Sequence, residues 1–239
     1  MVYMGSKNRF AKELLPIILK DRKENQFYVE PFAGGMNIID KVEGNRIAND
    51  LNYYLIEMFK DLLNGWKPEY ISKIEYKDIK NNKEKYKPNI VGWAGFICSF
   101  SGKYFAGFAG NFPESIINKN GKIRYYQVEH SNSIFKQLPK LQGVKFENKK
   151  YSELEIPDNS IIYCDPPYQN TTGYKVEKFN HSEFWEWCRN KTLEGNTVFV
   201  SEYTAPDDFE CVWEKEVKVT LSTKSTLNKV EKLFQYKII

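Results

Sequence analysis

The residues best suited to chemistry are Asp165-Pro166-Pro167-Tyr168, which follow directly on the apolar run Ile161-Ile162-Tyr163-Cys164. A short apolar run stopped by prolines reads as a buried strand. In an open α/β sheet, ligands bind beyond the carboxyl ends of such strands. The two prolines stiffen the turn and remove two backbone donors. A ligand there meets one carboxylate, free carbonyls and one aromatic face. That set suits an amine carried on a flat ring. The exocyclic amine of adenine is a poor nucleophile, because its lone pair is delocalised into the base. The Asp165 side chain and the Pro166 carbonyl form an acceptor pair for its hydrogens, and they stabilise positive charge as a methyl group arrives. Tyr168 can stack on the base only if the base has left the duplex, which implies base flipping. Direct in-line transfer needs no covalent intermediate. The Pro-Cys pair used on the ring carbon of cytosine does not occur, and Cys164 reads as buried packing. The reading fails if the pocket is collapsed, with Asp165 tied up in an internal ion pair and no cavity for a nucleobase.

Strands and helices must hold that tetrad in place. Residues 10–19 set Phe10, Leu14, Leu15, Ile18 and Leu19 on one side of a helix. Residues 26–29 form a short strand running into Glu30-Pro31-Phe32-Ala33-Gly34-Gly35, and residues 36–41 form a helix. Residues 46–48 are a second strand ending at Asn49-Asp50, and 51–63 a further helix. This order opens a doubly wound sheet. From about residue 65 to residue 141, Lys and Asn tracts and Gly-rich aromatic segments replace clean α/β alternation. Within that stretch, residues 73–87 read as a solvated helix or loop. The segment 65–141 is predicted to be an inserted subdomain, with 1–64 and 142–239 as the catalytic domain. The α/β pattern resumes with a strand at 160–164, a helix at 182–191, a strand at 197–201, and terminal strands at 211–219 and 232–238.

The 239 residues carry a formal net charge of +4, unevenly spread. Residues 66–150 hold 16 Lys+Arg against 7 Asp+Glu, a net of +9, whereas the remainder hold 19 against 24, a net of −5. A basic middle on an acidic frame suits a polyanionic partner. The four cysteines are dispersed without a CxxC pair and the two histidines lie far apart, so no metal site or disulfide framework is expected. No apolar run approaches the roughly 18 residues needed to span a bilayer. No signal-peptide pattern opens the sequence, and free thiols fit a soluble cytosolic protein.

Over nearly its whole length the chain resembles the Dam-type, D12-class DNA adenine methylases, in the short form carried by phages and mobile elements. The family's opening motif, an aromatic followed by Gly and Lys, appears as Tyr3-Met4-Gly5-Ser6-Lys7. Its cofactor turn, Glu/Asp-Pro-Phe-x-Gly-x-Gly, appears as Glu30-Pro31-Phe32-Ala33-Gly34-Gly35-Met36-Asn37. Here Asn37 replaces the last Gly, and asparagine tolerates unusual backbone angles. The family's acid after the second strand is Asp50. Thr171, Thr172, Gly173 and Tyr174 resemble its post-catalytic loop, and Ser201-Glu202-Tyr203 and Glu231-Lys232-Leu233-Phe234 its later strands. The resemblance implies a Rossmann-like sheet, mostly parallel with one antiparallel edge, and S-adenosylmethionine as cofactor. It further implies methylation of adenine N6 in double-stranded DNA by a monomer or weak dimer. Tyr3, Lys7, Glu30, Pro31, Phe32, Ala33, Gly34, Gly35, Asp50, Tyr151 and Asp165 are the implied cofactor residues. Gly34 and Gly35 would let the backbone approach the methionine part, Asp50 would accept from the ribose hydroxyls, and Tyr151 would supply a ring to the adenine. Lys150 stands where the family often has an acid. Residues 92–112 resemble the family's DNA-recognition region, so Lys103, Tyr104, Lys119, Lys122 and Arg124 are the expected DNA contacts. The same geometry could serve a cytosine amine, RNA or a protein amide, or survive in an inactive DNA binder. Asp at the head of the tetrad favours adenine.

Overall fold

The computed structural model describes residues 1–109, 116–117, 123–168, 179–222 and 225–237; for 116–117, 123–124, 218–222 and 225–228 it describes the backbone only. The expected contacts Lys119 and Lys122 and the loop at 171–174 lie outside the described residues, as does the side chain of Arg124.

Strands β1 (Tyr28–Glu30), β2 (Arg46–Asn49) and β6 (Ile161–Cys164) are buried along their whole length. This is what a central parallel strand covered on both faces requires. With β5 (Val144–Glu147), β7 (Thr197–Glu202), β8 (Phe209–Ser222) and β9 (Ser225–Tyr236) they form a seven-stranded sheet in the order β5-β2-β1-β6-β7-β9-β8. The first five strands are parallel, β9 runs antiparallel to β7, and β8 antiparallel to β9. The chain is therefore α/β and Rossmann-like, with the antiparallel edge that the sequence led us to expect. Alternation along the strands divides the core between the two faces. Tyr28, Ile161, Tyr163 and Phe199 point to one side, where Leu14 of α1 (Ala11–Ile18) and Leu55 of α2 (Tyr53–Leu63) meet them. Val29, Ile162, Cys164, Val198 and Val200 point to the other, under Phe184 and Cys188 of α6 (His181–Leu193).

Between β2 and β5 lie α2, then α3 (Lys73–Asn81), α4 (Pro88–Gly92) and a wholly buried π-helical turn Trp93–Ile97. A two-stranded hairpin of β3 (Ile116–Ile117) and β4 (Ile123–Arg124) and the helix α5 (Tyr126–Gln137) follow. The stretch read as a solvated helix or loop begins as α3, closed at its start by a capping box of Ser72 and Glu75. The described residues of the segment 65–141 add no strand to the main sheet. Their apolar side chains nevertheless share its core: Tyr76, Val91, Trp93, Phe96 and Ile134 belong to the same cluster as Tyr28 and Leu55. No helix among the described residues is long and apolar enough to cross a membrane.

The sequence reading differs from the structure at the turn after β1. The expected helix at 36–41 is only a 3-10 turn, Ile39–Lys41. The left-handed residues there are Gly34 (φ 46°) and Met36 (φ 58°), so the unusual angle falls on Met36 and not on Asn37. A side chain in that region is strained, which means the surroundings must hold Met36 in place. Gln137 of α5 does so, its amide donating to Met36 O at 2.8 Å and Gly35 O at 3.1 Å.

Candidate active site

Strand order reverses between β1 and β6, and the carboxyl ends of both strands open on that reversal. Asp165 emerges from the end of β6. Its carboxylate is not a free acceptor: Lys7 Nζ lies 3.0 Å from Asp165 Oδ1. Lys7, on a 3-10 turn started by the Ser6 cap, is itself buried. Its ammonium also stands 3.6 Å from Glu231 Oε2 and 4.4 Å from the centre of the Tyr168 ring. The Tyr168 hydroxyl donates to Glu231 Oε2 at 3.2 Å, and its ring meets Tyr203 edge-on at 4.7 Å. Of the two prolines, Pro166 is buried and Pro167 exposed.

The electrostatics follow from one cation serving two carboxylates. Burial disfavours charge on Lys7, but Asp165 and Glu231 outweigh it and raise its pKa. Burial raises the Asp165 pKa; Lys7 pulls it back, and Glu231 pushes it up again. A shared ammonium leaves Asp165 only partly compensated, so its shift points upward. Burial also raises the Tyr168 hydroxyl well above its ordinary value, keeping it a neutral donor.

Beside this cluster, the turn after β1 and the end of β2 build a second position. Asp50 is half-buried. Its Oδ2 accepts Gly34 N at 3.0 Å and its Oδ1 accepts Asn52 N at 2.8 Å. Each oxygen keeps lone pairs beyond those bonds, which fits a vicinal diol such as a ribose. Ala33 N bonds to Asn49 O at 2.8 Å, and the Asn49 amide donates to Pro31 O at 2.9 Å, so β2 fixes the turn. Phe32 leaves the turn for a ring cluster with Tyr151 at 5.3 Å, Phe179 at 5.8 Å and Phe184 at 5.6 Å. These apolar faces fit a purine. The donor and ring set is therefore compatible with S-adenosylmethionine: Asp50 for its ribose and the Phe32–Tyr151 cluster for its base.

Other expected site residues have different surroundings. Glu30 is buried and accepts the Tyr28 hydroxyl at 2.9 Å; burial raises its pKa well above the carboxylate range. The space over Gly34 and Gly35 is taken by Tyr3: a Cβ on Gly35 would lie 2.5 Å from Tyr3 Cβ, and one on Gly34 2.8 Å from Tyr3 Cε1. The glycines thus admit a phenol ring, which also stacks on Phe96 at 5.7 Å. Tyr104 does not present its ring as a DNA-facing surface. It packs against Phe96 at 4.9 Å and Phe105 at 4.8 Å, with its hydroxyl buried and unbonded among the described residues. Lys103 is half-exposed, Lys150 exposed, and Cys164 fully buried.

Two residues read only as parts of strands bring side chains into the site, Tyr203 and Glu231. Glu202, beside Tyr203, is buried and accepts Tyr203 N at 2.6 Å. A carboxylate at the end of an apolar strand, as at Asp50 and Asp165, was a usable signal for the 201–203 end. Glu231 lies among alternating charges of a long hairpin, where nothing in the sequence sets it apart.

A doubly wound sheet with an acid at the end of its second strand, and an Asp-Pro-Pro-Tyr turn at the reversal, places the fold in the Rossmann-like class. The profile of the D12 class N6 adenine-specific DNA methyltransferases matches residues 3–89 and 93–220, and the chain belongs to that family. It is 28% identical over 216 residues to the type II methyltransferase M.FokI of Planomicrobium okeanokoites, covering 80% of this chain and 32% of that one. It is 27% identical over 224 residues to the modification methylase StsI of Streptococcus sanguinis, covering 84% of this chain and 32% of the other. The chain thus spans about a third of the length of these relatives. Among solved structures, the putative methyltransferase yhhF from Escherichia coli aligns with 100% of this chain and 92% of its own, at 10% identity and a TM-score of 0.39.

Proposed function

We propose that the chain is a site-specific adenine DNA methyltransferase, moving a methyl group from S-adenosylmethionine to the N6 amine of an adenine flipped out of duplex DNA. The observation that carries this reading is Asp165 at the end of β6, with the Tyr168 ring beside it and Asp50 at the end of β2, on the far side of β1. Bound S-adenosylmethionine supplies an electrophilic methyl group on a sulfonium. Asp50 would hold its ribose and the Phe32–Tyr151 cluster its base, with Tyr3 over Gly34 and Gly35 closing the turn. Tyr168, held by Glu231 and Tyr203, offers its ring to an extruded base. Asp165 accepts from the amine hydrogens as nitrogen takes the methyl, and the carboxylate receives the proton that the nitrogen then sheds. Its raised pKa suits it to that second task. For this to happen Lys7 must yield Asp165 to the substrate amine. We assign DNA recognition to the segment 65–141, through Lys103, Lys119, Lys122 and Arg124 and the aromatic loop around them. Its charge supports this role.

The test is to incubate the protein with S-adenosylmethionine labelled in its methyl group and unmethylated DNA, then separate the nucleosides. Label should appear as the N6-methylated deoxyadenosine, and Asp165→Ala should lower it by at least about a hundred-fold while cofactor affinity holds. Absence of label with the wild-type protein, or equal turnover by the variant, overturns the reading.

A further inference from the structure

Glu231 holds a position that stacking and amine binding do not by themselves require. It sits on β9 one residue before the last pairing with β7, Glu202 against Lys232, where the β8–β9 hairpin continues past the end of the parallel strands. Its side chain is buried. It takes the Tyr168 hydroxyl at 3.2 Å, stands 3.6 Å from Lys7 Nζ, and has a looser contact of 3.9 Å with the exposed Arg9. Lys7 itself is seated on Asp165 at 3.0 Å.

While Lys7 holds Oδ1, Asp165 is a weaker acceptor for an amine and a weaker base for the proton it sheds. A buried ammonium that loses its only partner is strongly penalised. Lys7 has a second carboxylate within 4 Å, and closing 3.6 Å to an ordinary charge-assisted contact takes under about 1 Å of movement. We infer that Glu231 is a positioning residue that takes over the Lys7 ammonium when Asp165 turns to its substrate, while steadying the Tyr168 phenol. Arg9 is too exposed and too distant to compete strongly for Glu231. Nearby Glu202 already receives Tyr203 N. The inference rests on the proposed methyl transfer only in naming the amine as the group that displaces Lys7.

The exchange can be tested without turnover, by a double-mutant cycle of Asp165→Asn and Glu231→Gln read as urea midpoints. Each single variant leaves Lys7 one carboxylate, and the double leaves it neither. The double variant should therefore lose more than the sum of the singles, and adding Lys7→Met should restore part of that loss. If the double fails to fold, recovery of a cooperative transition in the triple variant supports the exchange equally. Additive losses, or no rescue by Lys7→Met, overturn the inference. A second arm measures single-turnover methyl transfer from labelled S-adenosylmethionine to unmethylated DNA. Glu231→Gln should be about ten-fold slower or worse, with cofactor affinity unchanged; a wild-type rate overturns the inference. If the wild-type protein labels no DNA, the methyltransferase reading fails, and the stability cycle still decides for or against the exchange.

Discussion

Asp50→Asn separates cofactor holding from folding. In the structure each Asp50 oxygen takes one backbone donor, Gly34 N at 3.0 Å and Asn52 N at 2.8 Å, and keeps capacity for a hydroxyl. The amide retains one acceptor oxygen and turns two donors toward its surroundings. It must give up one backbone anchor and at least one ribose hydroxyl, and the second hydroxyl bond loses its charge assistance. A hydrogen bond to a charged group is worth about 1.5–3 kcal/mol and a neutral one about 1, so losing one and stripping the other of its charge assistance costs about 3 kcal/mol. That is a little over a hundred-fold in dissociation constant. Stability should change far less, because two effects oppose each other. One anchor of the turn is lost, worth about 1 kcal/mol. In return, a neutral amide avoids the burial that raises the Asp50 pKa despite its two N–H donors. The assay is calorimetric titration with S-adenosylmethionine and with its demethylated product, alongside a thermal midpoint. Binding by the variant within three-fold of wild type, at any stability, would refute the assignment of Asp50 to the ribose.

Gly35→Ala should lower stability by about 1–3 kcal/mol by overpacking, since its methyl would lie 2.5 Å from Tyr3 Cβ and 2.7 Å from Asn37 Nδ2. Pairing it with Tyr3→Gly, which removes that Cβ, should recover part of the loss in a thermal melt, and full additivity would show that Tyr3 is not what the glycine accommodates. Methyl transfer should fall on the acid side as Asp165 protonates, above the ordinary aspartate value of 3.8, because burial outweighs Lys7. In Lys7→Met that limb of the pH–rate profile should move to still higher pH, and a shift to lower pH would contradict the pairing. Lys103→Gln should weaken DNA binding and reduce the slope of log affinity against log salt by about 1, measured by anisotropy over a salt series. An unchanged slope removes Lys103 from the interface.

Strands β6 and β7 were easy to read, because Ile161-Ile162-Tyr163-Cys164 and Val198-Phe199-Val200 are short unbroken apolar runs, whereas β1 and β2 offer only Tyr28-Val29 and Ile47-Ala48 and were placed by the turns that follow them. Strand β5 was not: its sequence Val-Lys-Phe-Glu sits at the sheet edge and stays half-exposed. Helix α5 was hidden for a different reason. Its buried face is Gln127, His130, Ile134 and Gln137, so burial there is offset by hydrogen bonds and leaves no apolar period to detect. The tetrad, Asp50 and the ring at Tyr151 were legible as a motif in order. The burial of Lys7 and the arrival of Glu231 were not, because both depend on which strand ends the sheet brings together.

The core shared by Tyr76, Trp93, Phe96 and Ile134 with Tyr28 and Leu55 also bears on re-targeting. A transplant of residues 65–141 from a relative with another target sequence would tear out one wall of the host fold along with the proposed reading head. Chimeras should therefore keep α3, α4 and α5 native and exchange only the loop and hairpin between Ser99 and Tyr125.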